Sequence, residues 1–289
     1  MKTILQNLNE IQNILKNLLH LHKSHRVCIC FFGLIRYGKK TIPSIEKNIL
    51  NQLKKFDIDY DVYLHTYDLT VVNCPRNNEN NVKIDNTEWR NLHPFSYKVT
   101  NQQDFDRHFD FNWFSQYGWT QGVRNKESFY NMFRQMNSLK EVTNLWEQKN
   151  RYYDLYLYFR PDMEYVTPLL VEDLFQYFNQ PNVFLLPPFG NTEKGGQYCD
   201  FYAIGCKETM RIYGNRMDYA YDFITEGGGI YKQKQFHTES FVFYIAKRFG
   251  WKYKEIKDFY GYRCRANGKI YVGYFIAPQK LIKRNVEQT

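Results

Sequence analysis

The chain has 289 residues, 43% of them hydrophobic, enough to bury a substantial core as one large α/β domain or two small ones. Its 39 basic and 30 acidic residues give a net charge of +9, which suits polyanionic ligands such as nucleic acid, an anionic membrane surface or a diphosphate. No apolar run is long enough to span a bilayer, the N-terminus does not read as a signal peptide, no nucleic-acid-binding signature accompanies the basic residues, and the six cysteines show neither CxxC nor zinc-ligand spacing, so free buried thiols in a cytoplasmic setting are expected.

In chain order, residues 3–22 carry Ile4, Leu8, Ile11, Leu15 and Leu18 at three- and four-residue intervals, which predicts an amphipathic helix packed on the domain or on a partner. The run RVCICFFG at 26–33 is continuously apolar and ends in glycine, as a buried parallel strand does. A loop follows at 34–40, then a helix over 42–56 and a second strand over 60–66 (YDVYLHT). This strand–helix–strand opening is the nucleotide-binding half of an α/β sheet. Residues 70–115 are polar and read as a loop-rich insertion. A long helix is predicted over 126–149, and a strand over 153–159 that stops at Pro161, which has no backbone donor. The remainder reads as a short helix at 169–179, strands at 182–186 and 201–205, a Gly-rich loop at 189–198, a helix at 207–216 and a glycine triplet at 227–229. A final helix at 238–249 and strands at 251–256 and 270–274 complete it.

The most informative segment is YDLYLYFRPDMEYV, where a buried strand runs into Asp162-Met163-Glu164. Carboxylates at i and i+2 of an extended chain share a side and can hold one hard cation, and ligands of open α/β sheets bind at strand carboxyl ends. An ordinary polar turn would look the same. Arg36, in the loop after the first strand, can clamp a phosphate bidentately or make a salt bridge. Asp200 heads the apolar strand at 201–205. Glu239, in His237-Thr238-Glu239-Ser240, can be a general base toward a hydroxyl or can serve the start of a helix. His65, inside a strand, reads as a packed core histidine.

The serial order of FFGLIR, YDVYLHTYD, MFRQMNSLKEV, YDLYLYFRPDME, CDFYAIG and HTESFVF resembles a GT-A-type glycosyltransferase group of viral and bacterial polysaccharide loci. The pieces cover most of residues 26–246. The resemblance implies a single-domain, Rossmann-like α/β fold: an open, mostly parallel central sheet flanked by helices, with an N-terminal helix in residues 1–25. It implies a nucleotide-binding half over about 26–165 and an acceptor half over about 166–289. Gly33, Arg36, Thr66 and Asp68 would line the nucleotide site, Gln135 and Ser138 would reach it from the long helix, and Asp162 would hold a manganese or magnesium ion with Glu164 beyond it. The acidic motif of such enzymes is usually D-x-D, whereas Arg160 and Asp162 occupy those places here. Arg160 can then fix Asp162 or the phosphates, and a metal-independent mechanism stays open. The implied reaction moves a sugar from a nucleotide-diphosphate donor to a glycan or other hydroxyl acceptor, with Glu239 or Asp200 as base. The implied partners are the donor, the acceptor, and a second copy or partner enzyme met through residues 3–22. The alternatives are a non-catalytic sugar- or nucleotide-binding module and a basic nucleic-acid-binding protein.

Overall fold

The computed structural model describes residues 25–74, 77–117, 126–178, 180–226 and 236–271. The helix expected at 3–22, the glycine triplet at 227–229 and the end of the strand expected at 270–274 lie outside the described residues.

The described residues open with β1 (Arg26–Phe32), then α1 (Gly38–Ile45), a π-helical turn (Glu46–Leu50) and α2 (Asn51–Lys55). β2 (Asp59–Tyr67) returns parallel to β1. The segment expected to be loop-rich contains the hairpin β3 (Val71–Cys74) and β4 (Glu79–Lys83), a 3-10 turn (Glu88–Leu92) and β5 (Ser96–Thr100), which pairs parallel with β2 as an edge of the main sheet. Two short helices, α3 (Gln102–His108) and α4 (Phe111–Ser115), precede the long α5 (Lys126–Glu147). Then come β6 (Leu155–Phe159), β7 (Met163–Tyr165), the single turn α6 (Glu172–Phe175), β8 (Val183–Leu186) and β9 (Tyr202–Gly205). The chain continues through α7 (Lys207–Gly214), a 3-10 turn (Arg216–Tyr219), α8 (Ala220–Thr225), α9 (Thr238–Arg248), β10 (Lys252–Glu255), β11 (Gly261–Cys264) and β12 (Ile270–Tyr271).

Among the described residues the main sheet has seven strands in the order β10-β8-β9-β6-β1-β2-β5. β1 runs parallel to both β2 and β6, and β8 to β10, while β9 lies antiparallel between β6 and β8. Alternation along the central strands explains the layering. Cys28, Cys30, Phe32, Tyr156 and Tyr158 enter a core shared with α5 and α9. Val27, Ile29, Phe31, Leu155, Leu157 and Phe159 enter the opposite core, which α1 and its continuation cover. The result is an α/β fold with a mostly parallel central sheet between helical layers, as expected. All six cysteines are free and buried. Among the described residues no helix is long and apolar enough to cross a membrane.

The pairing of β7 with β11, Met163 opposite Arg263, is a second finding beyond the sequence reading. It turns the D-x-E segment into the start of a small three-stranded sheet, β12-β11-β7, instead of a free polar turn. It also carries the 261–266 segment to the carboxyl end of β6.

Candidate functional site

The site is built at the carboxyl ends of β1, β2 and β6. Gly33 leaves β1 with φ +97°, a left-handed conformation that glycine adopts without strain. Its N–H points at two acceptors, the Ser138 hydroxyl at 2.7 Å and the His65 carbonyl at 3.2 Å. The Ser138 Oγ also lies 2.7 Å from His65 Nδ1, and His65 Nε2 lies 2.9 Å from Thr100 Oγ1. Either tautomer keeps both ring nitrogens paired. Burial, then Lys98, lowers the His65 pKa to about 3, so the ring stays neutral. Gly33 and Ser138 are thus brought together as expected, but their polar groups are spent on pinning α5 to the strand ends. His65 is the packed core histidine the sequence suggested.

Next to this brace lies a row of charges. Arg160 donates to both carboxylate oxygens of Asp162, Nε to Oδ1 and Nη2 to Oδ2, each at 2.9 Å. Its Nη1 donates to Gln135 Oε1 at 2.5 Å, and Gln135 Nε2 donates to Asp200 Oδ2 at 3.1 Å. Arg36 Nε lies 3.5 Å from Asp162 Oδ2, and its Nη1 donates to the buried Glu79 at 2.5 Å. Burial opposes the charge on Asp162, yet Arg160, Arg36 and Arg263 outweigh it and hold the carboxyl well below the usual carboxylate range. For Arg160, burial disfavours the cation, and Asp162 and Asp200 reverse that and raise its pKa. Arg36, Gln135, Arg160, Asp162 and Asp200, picked out from distant parts of the sequence, therefore form one connected group.

Past the end of β1, Leu34, Ile35, Thr66, Tyr67, Asn86 and Trp89 among others line a small dent open to solvent. Thr66 is in its wall. Asp68 is exposed, and its Oδ1 accepts from Asn86 Nδ2 at 2.5 Å, which holds the rim. On the other side, Glu239 opens α9. Its Oε2 accepts from Thr238 Oγ1 at 2.8 Å and lies 3.2 Å from His237 Nε2. The helix start has no side-chain cap, and Glu239 is the acid in its first turn, where the helix dipole favours negative charge. Its backbone carbonyl accepts from Tyr198 N at 3.0 Å, next to the Cys199-Asp200 segment. The Cys199 thiol is pushed up by burial first, then by Asp200 and further by Glu239, so both carboxylates lie around it.

The residues present do not fit a divalent cation at Asp162. Both of its oxygens are already taken by Arg160, with Arg36 alongside, whereas hard cations need free carboxylate oxygens. Glu164 pairs instead with Lys40 at 3.4 Å, and burial raises its carboxyl above the usual value. Among the described residues no three His, Cys, Asp or Glu side chains are grouped as metal ligands.

Three members of the group escaped the sequence reading. Glu79 sits in an Asn-rich stretch that looks like loose loop, yet it is fully buried, accepting from Arg36 and from Ala266 N at 2.7 Å. Arg263 and Arg265 lie in and just after β11. The only local signal was the pair of arginines two apart in an otherwise apolar GYRCRA.

No protein-family profile matches the chain. No curated protein matches it by sequence. Among solved structures it is similar to the glycosyltransferase GlyE of Streptococcus pneumoniae TIGR4, at 12% identity and TM-score 0.36, over 82% of this chain and 46% of that one. The chain thus spans about half of GlyE. It is also similar to mouse xyloside xylosyltransferase 1, at 12% identity and TM-score 0.37, over 80% of this chain and 84% of that one. A third is the galactosyltransferase LgtC, solved with donor and acceptor sugar analogues, at 9% identity and TM-score 0.40, over 80% of this chain and 72% of that one.

Proposed function

We propose that the protein transfers a glycosyl group from a nucleoside-diphosphate sugar to a hydroxyl of a glycan or similar acceptor. The observation that carries this reading is the convergence of Arg36 and Arg160 beside Asp162 at the carboxyl ends of two adjacent parallel strands, with a small dent open to solvent past the end of β1. Ligands of α/β sheets bind at such ends, and guanidinium pairs recognise phosphates. Thr66 and Asn86 offer polar groups at the solvent-open dent, with Asp68 held to Asn86. In this reading residues 26–165 hold the donor and 166–289 the acceptor. Gly33 and Ser138 support the site without touching the nucleotide.

In the transfer step the acceptor oxygen forms a bond to the anomeric carbon as the bond from that carbon to the diphosphate breaks. The acceptor proton passes to Glu239 or Asp200, and the diphosphate leaves with the electron pair. Arg36 and Arg160 stabilise its charge by several kcal/mol, on the order expected of preorganised donors in a site sheltered from water. Glu239, with its side chain one-third exposed, is better placed to meet an incoming acceptor than the buried Asp200.

Release of nucleoside diphosphate from a panel of nucleotide sugars, with glycan acceptors and with or without manganese or magnesium, tests the reading. Glu239→Gln should lower kcat by about 10²- to 10⁴-fold while leaving donor affinity unchanged. A second reading, a binding module, is favoured by one feature: Asp162 and Asp200 are already bonded to Arg160 and Gln135. Donor binding with no diphosphate released to any acceptor would select it.

A further inference from the structure

The start of α9 holds a second connected group, made by the consecutive residues His237, Thr238, Glu239 and Ser240. The Glu239 Oε2 atom is met from two sides: Thr238 Oγ1 donates to it at 2.8 Å, and His237 Nε2 lies 3.2 Å away. On the other edge of the ring, His237 Nδ1 lies 3.3 Å from Ser240 Oγ. A carboxylate oxygen only accepts, so the ring nitrogen facing it is the one that carries a proton. A hydroxyl can turn to donate or to accept, so Ser240 donates to Nδ1 and favours that same tautomer. Ser240 and Thr238 are only 3% and 8% exposed, which limits competition from water at either hydroxyl.

The chain around His237 is fixed as well. Phe236 is fully buried and its N–H donates to the Tyr117 carbonyl at 2.8 Å, and the His237 carbonyl accepts from Phe241 N at 2.9 Å. The ring is 14% exposed, against 33% for the Glu239 side chain. With Oε2 engaged by Thr238 and His237, the oxygen left for an incoming hydroxyl is Oε1. Asp200, the other candidate base, is 4% exposed, and its Oδ2 already accepts from Gln135 at 3.1 Å. A general base works best when its accepting oxygen is held within hydrogen-bond reach of the proton, and a carboxylate anchored by one oxygen keeps the other in a fixed direction.

We propose that His237 is a positioning residue for the acceptor side of the site: its Nε2–H and the Thr238 hydroxyl hold Glu239 by Oε2, Ser240 sets the tautomer of the ring, and Oε1 is thereby aimed at the acceptor hydroxyl. This role rests on the transferase reading for the step it serves. In that step the O–H bond of the acceptor breaks and its proton goes to Oε1. The electron pair left on the acceptor oxygen forms the bond to the anomeric carbon, and the bond from that carbon to the diphosphate breaks with its pair on the diphosphate. His237 keeps its Nε2 proton throughout and donates it to Oε2 before and after the transfer. The role therefore needs a donor at the Nε2 position and no change of charge on the ring, which a glutamine amide can also provide.

Two measurements on the full chain test this. The first needs no substrate: long-range proton–nitrogen spectra of protein carrying nitrogen-15 histidine, at neutral pH, with His237 assigned by the signals that vanish in His237→Gln. The expected ring is the Nε2–H tautomer, and any other form overturns the inference while leaving the transferase reading standing. The second is steady-state release of nucleoside diphosphate from uridine and guanosine diphosphate hexoses, with methyl hexosides as acceptors, for wild type, His237→Gln and His237→Leu. His237→Gln should keep kcat within about threefold of wild type, and His237→Leu should lower it about ten- to a hundredfold at unchanged donor KM, the size of a lost hydrogen bond to a charged group. A residue that only supports the fold would not show that rescue by glutamine together with an unchanged KM. Should His237→Leu fail to fold, Thr238→Val, which removes the other donor to Oε2, should show the same loss in kcat. An equal loss in His237→Gln and His237→Leu would mean that the ring itself carries the proton, and an unchanged kcat in both would mean that His237 plays no part; either overturns the positioning role alone. No diphosphate released by the wild type from any pair removes the transferase reading and this role with it.

Discussion

Two buried side chains should govern how this protein responds to acid. Burial works against the charge on Asp162, but Arg160, Arg36 and Arg263 hold its carboxyl below the ordinary range. Burial and then Lys98 lower the pKa of His65 to about 3. In the unfolded chain His65 takes up a proton below about pH 6.5 and Asp162 below about pH 3.9, while in the folded chain both resist protonation through those ranges. The unfolded state therefore binds more protons, and stability rises with pH across the window. The Asp162 contribution is complete above the ordinary carboxylate pKa and is lost as pH falls below it. The His65 contribution is complete above about pH 6.5 and is lost on descending toward pH 3. Replacing His65 with Gln, which hydrogen-bonds but does not titrate, should remove roughly 1.4 kcal/mol per pH unit from the stability slope between about pH 6 and pH 4. Urea unfolding midpoints at a series of pH values measure this. A slope identical to wild type would show that His65 accepts its proton without cost and that the acid response lies elsewhere.

At the scale of elements, the start of α1 shows how the insertion supports the site. Gly38 N–H donates to Glu88 Oε2 at 2.8 Å, so a carboxylate from the insertion satisfies a helix N-terminus that leads away from Arg36. A Cβ at residue 38 would come within 2.6 Å of that same oxygen. Gly38→Ala should therefore expel the Glu88 side chain and cost about 1–2 kcal/mol, comparable to the loss of a helix cap. Glu88→Gln, which still presents an oxygen, should cost less. Equal urea midpoints for Gly38→Ala and wild type would show that this contact is dispensable. None of this could be read from the insertion itself, whose polar stretch hides a buried Glu79 and an edge strand with Tyr97 and Val99 exposed. β1 and β6 were legible because strands buried on both faces carry continuous apolar runs, and α5 because its apolar residues recur at helical spacing. The pairing of β7 with β11 was not legible, since Met163 and Arg263 are far apart in sequence and each strand is too short to show a period. For that reason Arg36, Gln135, Arg160, Asp162 and Asp200 were found in sequence as parts of a site, while Arg263 and Arg265, which change its electrostatics, were not. Arg160, two residues before the acid, donates to both oxygens of Asp162, one of the two roles the sequence left open for it.

For the molecule as a whole, a net charge of +9 suits both a diphosphate and a nucleic acid, and burial separates the two. Arg160 and Arg265 are only 7% and 6% exposed, and Arg36 is sheltered by Glu79 and Asp162, so the phosphates of a long polymer cannot reach most of this centre. An oligonucleotide would meet the scattered surface lysines and arginines, where each contact is screened by salt. Its affinity should fall by orders of magnitude between about 50 and 200 mM salt as condensed counterions compete. A nucleoside diphosphate seated among buried guanidiniums keeps its closest charges out of the ionic atmosphere, so its affinity should fall only a few-fold over the same range. Fluorescence anisotropy with a labelled oligonucleotide, run beside calorimetry with the diphosphate at matched salt, measures both slopes on one preparation. If the oligonucleotide stays tightly bound at the higher salt and the diphosphate does not, the excess charge serves a polymer on the surface, and the centre around Asp162 is an internal brace.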